Sequence, residues 1–317
     1  MRTISNDFKN FITNNEEIKP IIEQIKIDST LDCEIRKDKL QAYYRGAELF
    51  SIEEIGQKFY FTKSGNSIIK EQKEEICKES INEMYHITIP MRKNRLDIYK
   101  QNGPEGSERE VQQLIVRENN LNTKSEETDY YIVDIEDAES SADLRFDMLA
   151  VRTLHDGKDR TTPPKRFAII ELKYSNDAVH GDKSSLKTHF SDLVKFVENE
   201  SKLKDLKEQI RYLFNLKLEL GLIKKPVKSD FIITEKDLSE KSEYIIILAN
   251  YNVNELKQNS KLHDLLVSIR KDYPVVFDKF DVKFATSAFM GYGLYADCMI
   301  PYDDFVSKIY KPEKMIL

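Results

Sequence analysis

Two short apolar runs that each carry charge constrain this chain most: LRFDMLAV at 144–151 and FAIIELKY at 167–174. Both have strand length and are rich in aliphatic and aromatic residues, the composition of a segment buried in a sheet. Alternate side chains of an extended strand share a face, so Glu171 and Lys173 project together across Leu172. Ala168, Ile170 and Leu172 take the opposite face. A carboxylate and an ammonium thus stand at the exit end of an otherwise apolar strand. Burying such groups is costly unless something pairs them, and a metal ion with an anionic substrate would do so.

The surrounding order is equally informative. Glu108–Glu118 reads as an amphipathic helix, with Val111, Leu114 and Ile115 at helical spacing. Strands follow at Tyr130–Ile135, Leu144–Thr153 and Phe167–Tyr174, then helices over Ser184–Glu198 and Lys202–Leu222. A further strand at Glu243–Asn250, a helix ending at Lys271 and a β-region over Val282–Met299 complete this part. The order α-β-β-β-α-β predicts an α/β fold with helices packed on a mixed central sheet. Upstream, residues 5–26 read as helical, Lys39–Thr62 as β-structure with turns at Arg45-Gly46 and Ile55-Gly56, and Ile68–Met84 as a charged helix. The KQNGPEGS stretch at 100–107 is the clearest break. It divides an N-terminal α+β domain, residues 1–100, from a second domain, residues 101–317.

Composition narrows the setting. Aromatics at 10% and hydrophobic residues at 40% fit a globular chain. The first twenty residues lack a signal-peptide core, and no apolar run is long enough to span a bilayer, so no membrane partner is expected. Cys33, Cys77 and Cys298 lie far apart without a CxxC, which argues against a zinc site or disulfide framework and makes a cytoplasmic setting the default. The net charge of −6 argues against a broad non-specific nucleic-acid coat but not against a local basic face. Between Lys202 and Lys228, eight basic residues face three acids, either as a binding surface or as a solvated helix face.

The residue types suit phosphodiester hydrolysis, which needs a hard cation on oxygen ligands and a group to orient the attacking water. Asp147 and Glu171 can bind Mg²⁺ or Mn²⁺ from adjacent strands, with the Leu172 carbonyl as a third protein ligand. Lys173 can orient or help deprotonate the water and offset charge developing on the phosphate. The alternative is an ion pair at a sheet edge with no catalytic role.

RFDMLAV followed by FAIIELKY resembles motifs II and III of the PD-(D/E)XK nuclease superfamily, and the α-β-β-β-α-β order over 108–250 resembles its restriction-endonuclease-like core. The resemblance covers nearly half the chain and leaves residues 1–100 outside. It implies a metal-binding Asp at Asp147, a metal-binding acid at Glu171 and a catalytic Lys at Lys173. Phe146 stands where the motif has Pro. Members often carry a further Glu on the helix before the first core strand. Glu108, Glu110 and Glu118 compete for that place. The apolar direction of the helix favours Glu108 over Glu110, with Gln112 one turn on, and the helix C-terminus disfavours a carboxylate at Glu118. The resemblance implies a metal-dependent nuclease with nucleic acid, chiefly DNA, as partner, in a restriction, repair or phage-defence role. A catalytically silent nucleic-acid-binding or scaffold protein that keeps the fold is the alternative, and a homo-oligomer is left open.

Weaker signals remain. His189 and Asp192 lie at i, i+3 beside the ladder Leu186, Phe190, Leu193 and Val197, and His189 reads either as a phosphate contact or as a helix-surface histidine. Gln209 and Tyr212 match a superfamily Gln–Tyr pair poorly. Arg152, Lys158, Arg160, Lys165 and Arg166 flank the loop between the two charged strands, where a phosphate-backbone contact and a solvated loop are equally open. The GYGLYADCMIPY segment at 291–302 and the Tyr43-Tyr44-Arg45-Gly46 turn each read as a recognition surface or as packed aromatics.

Overall fold

The Arg45-Gly46 step reverses the chain tightly because both residues adopt positive φ, +50° and +75°. That is the backbone a two-residue hairpin between twisted strands demands. Glycine is required at the second position for another reason: a Cβ there would sit 2.6 Å from the backbone nitrogen of Glu110. The computed structural model describes residues 2–63, 72–101, 108–120, 128–138, 145–153, 165–174, 185–223, 232–238, 240–249, 260–287, 294 and 298–309. The chain is α/β and divides into two compact units, Met1–Ser125 with Tyr212–Lys225, and Glu126–Arg211 with Pro226–Leu317.

In the first unit, helices α1 (Asn6–Asn14) and α2 (Lys19–Ile27) precede a five-stranded antiparallel meander. Its strands are β1 (Leu31–Arg36), β2 (Lys39–Tyr44), β3 (Ala47–Ile55), β4 (Lys58–Lys63) and β5 (Gln72–Glu75), in that spatial order. Ser5 caps α1 by accepting from the Phe8 N–H at 2.8 Å. Pro20 is the second residue of α2, in the first turn, where its missing N–H costs nothing. Of the charged stretch expected to be one helix over Ile68–Met84, residues 68–71 lie outside the described residues, and the rest holds strand β5 followed by α3 (Lys78–Glu83). Hydrogen bonding to the β4 edge, with Tyr60 opposite Glu75, overrides the local helical propensity there. A π-helical turn, Met84–Thr88, then leads into α4 (Ile89–Gln101), and α5 (Glu108–Asn120) follows.

The hairpin turn is packed rather than presented. Arg45 reaches Glu110 at 2.7 Å and Asp97 at 3.0 Å, and the Tyr44 hydroxyl donates to Asp97 at 2.9 Å. The Gly46 N–H donates to Gln113, whose amide in turn donates to the Tyr43 and Thr30 carbonyls. In the same unit Lys217 is buried and donates to the buried Glu34 at 2.9 Å, so one of the eight basic residues noted between 202 and 228 lies in the core rather than on a binding face.

The second unit is built on a six-stranded mixed sheet of spatial order β11-β10-β9-β8-β7-β6. Its strands are β6 (Tyr130–Ala138), β7 (Arg145–Arg152), β8 (Arg166–Tyr174), β9 (Ser242–Ala249), β10 (Phe280–Ser287) and β11 (Ile300–Pro301). β6, β7 and β8 pair antiparallel, β8–β9 and β9–β10 pair parallel, and β11 returns antiparallel. Helices α6 (Leu186–Val197) and α7 (Glu200–Leu220) connect β8 to β9, α7 being the helix within which the two units divide. Helices α8 (Ser260–Asp272) and α9 (Pro274–Lys279) precede β10, and α10 (Tyr302–Ile309) follows β11. The β-region expected over Val282–Met299 thus begins two residues earlier, and its stretch from 288 to 297, apart from Leu294, lies outside the described residues. Tyr302 packs its ring on Phe277 and Phe284, as a core aromatic does.

β9 is buried at every position, which explains its continuous apolar run. Its one charge, Glu243, gathers partners from three other strands of the sheet. Arg152 of β7 lies 2.6 Å away, Lys283 of β10 2.7 Å, and the Tyr130 hydroxyl of β6 donates at 2.8 Å. Removing one partner of a buried charge network strands the others without compensation. Glu243→Ala is therefore expected to cost about 3–5 kcal/mol in urea unfolding of the full chain. A cost under about 1 kcal/mol, the range of an exposed pair, would show that the network does not hold the sheet.

Candidate active site

The strand register brings the predicted residues together. Met148 of β7 pairs with Ile170 of β8, so the next positions along, Asp147 and Glu171, come level with each other. Alternation then sends both side chains to the face that also carries Ile169 and Lys173. At this level a side chain joins the two strands: the Leu172 N–H donates to Asp147 Oδ2 at 2.8 Å. The register thus sets the Asp147 and Glu171 carboxyls side by side on adjacent strands. Glu171 Oε1 is 2.7 Å from Lys173 Nζ, with both side chains almost wholly buried.

Charge explains the titration of the cluster. Burial, and then the Glu171 charge beside it, hold the Asp147 carboxyl well above the usual carboxylate range, against the Leu172 N–H and the Lys173 ammonium, which lower it. Two acids against one lysine is an unbalanced set that a divalent cation would balance. Tyr244 of β9 belongs to the same surroundings. Its register partner is Ile169, so it shares the face of Glu171, and its hydroxyl is pushed far up by burial and by the charges of Glu171 and Asp147.

His189 joins this group from α6. Its Nε2 lies 3.0 Å from Lys173 Nζ and 3.2 Å from Glu171 Oε1. Ser185 caps the helix by accepting from the Thr188 N–H, and Phe190 stands edge-on to the Tyr244 ring at 5.4 Å. His189, read from sequence either as a phosphate contact or as a hydrogen-bonding histidine on the helix surface, is partly exposed and meets Lys173 and Glu171. Asp134 of β6 was missed. It is fully buried, its register partner is Leu149, and it therefore lies on the face of Asp147. The signal was present, since YYIVDI, like RFDMLAV, is an apolar strand with one central acid.

Glu108 stands in the first turn of α5, in the first unit. Its competitor Glu110 is engaged by Arg45. Gln112 is fully buried, and Gln209 nearly so. Of the loop cations, Arg152 is committed to Glu243, Arg166 to Asp281 at 2.7 Å, and Lys165 to Asp237 at 3.2 Å. Lys158 and Arg160 lie outside the described residues. Among the described residues, no group of three or more His, Cys, Asp and Glu side chains forms a ready-made metal site, and no helix is long and apolar enough to cross a membrane.

No family model and no curated protein matches the chain. Among solved structures, SfsA of Pyrococcus furiosus in complex with Ca²⁺ aligns with 87% of this chain and 91% of its own, at 11% identity and a TM-score of 0.24. At that score the likeness carries no argument about fold or function.

A group whose proton is held more tightly in the folded chain contributes stability that is complete below its unfolded pKa. That stability is lost as pH rises through the folded value. Asp147 is such a group, so in metal-free protein it costs stability at neutral pH. Asp147→Asn keeps an oxygen for the Leu172 N–H and has no proton to lose. Its melting temperature is expected to lie a few degrees above that of the parent at neutral pH in EDTA, with the gap closing toward about pH 4. A gap independent of pH would contradict this account of the cluster.

Proposed function

We propose that the chain is a divalent-metal-dependent nuclease of the PD-(D/E)XK type, with a restriction-endonuclease-like core and DNA as its substrate. The observation that carries the reading is the placement of Asp147, Glu171 and Lys173 on one face at the carboxyl end of β8. There two adjacent carboxyls share a single buried lysine. The donor set fits Mg²⁺ or Mn²⁺, since both acids offer hard oxygen ligands and their mutual repulsion is what a cation relieves. Asp147 and Glu171 would hold the ion, with the Leu172 carbonyl as a third protein ligand. When bound, the ion would polarise the phosphate and activate water.

The chain's own groups do the rest. The Leu172 N–H fixes Asp147 Oδ2 and so sets the direction of that carboxyl. Lys173 supplies positive charge to the phosphate oxygens in a site shielded from water, where a fixed charge stabilises a transition state most. The further acid that the resemblance implies at Glu108 falls on α5, which belongs to the first unit. In this reading residues 1–100 form an accessory domain and 101–317 the nuclease domain.

One observation favours a second reading. The Glu171–Lys173 pair is already closed at 2.7 Å, as it would be in a protein that keeps the fold and binds nucleic acid without cutting it. Incubation with linear duplex DNA, single-stranded DNA and RNA, in Mg²⁺, Mn²⁺ or EDTA, separates the two. Metal-dependent cleavage that falls by about a hundredfold or more in both Glu171→Ala and Lys173→Ala is expected. Binding of the same nucleic acids with no cleavage under any metal would favour the silent protein.

A further inference from the structure

Three heteroatoms meet within hydrogen-bonding distance at the centre of the cluster, and the protons they can share are few. Lys173 Nζ lies 2.7 Å from Glu171 Oε1 and 3.0 Å from His189 Nε2, while Nε2 and Oε1 are 3.2 Å apart. An ammonium is a donor only, so its contact with His189 requires a lone pair on Nε2. The imidazole is then neutral with its proton on Nδ1. In that tautomer Nε2 and the Glu171 oxygen are both acceptors, and their close approach is tolerable because the Lys173 ammonium donates to Nε2 and stands in ion-pair contact with that oxygen. The opposite arrangement, with Nε2–H donating to Glu171, would set an imidazole donor and an ammonium against each other at 3.0 Å.

We propose that His189 is a positioning residue that holds the Lys173 ammonium through Nε2 and keeps it in place when Glu171 turns toward another partner. The catalytic consequence rests on the nuclease reading above; the hydrogen-bond arrangement stands without it. Its placement on α6 suits the role. The His189 N–H donates to Ser185 O at 3.2 Å in the capped first turn, and Phe190 beside it is anchored on Tyr244. The amino end of a helix also disfavours positive charge, and so favours the neutral ring. A cation drawing on the Glu171 charge would weaken its attraction for Lys173. His189 Nε2 offers the lysine an acceptor that does not depend on Glu171.

The test reads the metal-free chain first. Long-range ¹H–¹⁵N correlation of the imidazole nitrogens at neutral pH is expected to show His189 protonated at Nδ1 and bare at Nε2. An Nε2-protonated ring would overturn the proposal. Acylation of Lys173, followed by mass spectrometry, is expected to speed up about fivefold in His189→Ala, the effect of losing one hydrogen bond. It should return toward the parent rate in His189→Gln, whose amide oxygen can accept from the lysine. Unchanged labelling in a folded His189→Ala would also overturn it. If His189→Ala does not fold, the ring tautomer of the parent and labelling of His189→Gln decide alone. In cleavage assays, His189→Ala is expected to lower kcat about tenfold with KM unchanged, and His189→Gln to recover most of it. A KM effect alone would contradict positioning. Absence of cleavage by the parent would sink the nuclease reading and leave the tautomer and labelling results to stand or fall separately.

Discussion

Burying charge in a sheet is affordable only where each charge meets its opposite, and Glu243 is where the sheet of the second unit meets that condition. Its carboxylate lies on one face of the strands and takes Arg152, Lys283 and the Tyr130 hydroxyl from β7, β10 and β6. Because register fixes which face each residue occupies, Ala168 opposite Glu243 places Ile169, Glu171 and Lys173 on the other face. One face thereby carries a carboxylate paired with two cations. The opposite face carries the adjacent acids Asp147 and Glu171 with Lys173, and Asp134 of β6 lies on the same face.

That imbalance gives the candidate site its chemical character. A buried ion pair by itself is weak evidence for stability or for function, since it can exist only as a partner of its own burial. Here the pair has a third member, Asp147, whose proton is held by its surroundings and whose Oδ2 is pinned by the Leu172 N–H. Such a set is tense without a cation and would relax with one. The same tension makes the location of every proton in the cluster consequential, and His189 enters on those terms.

Much of this was legible in the sequence where periodicity and burial coincide. β7, β8 and β9 announce themselves as apolar runs, and α6 by its Leu186, Phe190, Leu193 and Val197 ladder, all four of them buried. What the sequence hid depends on partners far along the chain. β1, with its buried Asp32 and Glu34, reads as polar because the charge that receives Glu34, on Lys217, lies 183 residues away. α4 was not anticipated because it turns apolar residues such as Met91, Ile98 and Tyr99 outward, which erases the helical stripe. β5 has no apolar pattern at all and is a strand only because β4 offers an edge. His189 looks like any helix-surface histidine until α6 is laid against the β8 strand.

The central claim is that Asp147 and Glu171 together hold one divalent ion. Calorimetric titration of Mn²⁺ into metal-free protein addresses it most directly, with Mg²⁺ as competitor. The expected result is a single ion bound per chain, displaced by Mg²⁺, and lost in both Asp147→Asn and Glu171→Gln while each variant stays folded. Binding that persists unchanged in both folded variants, or no binding by the parent, would contradict it.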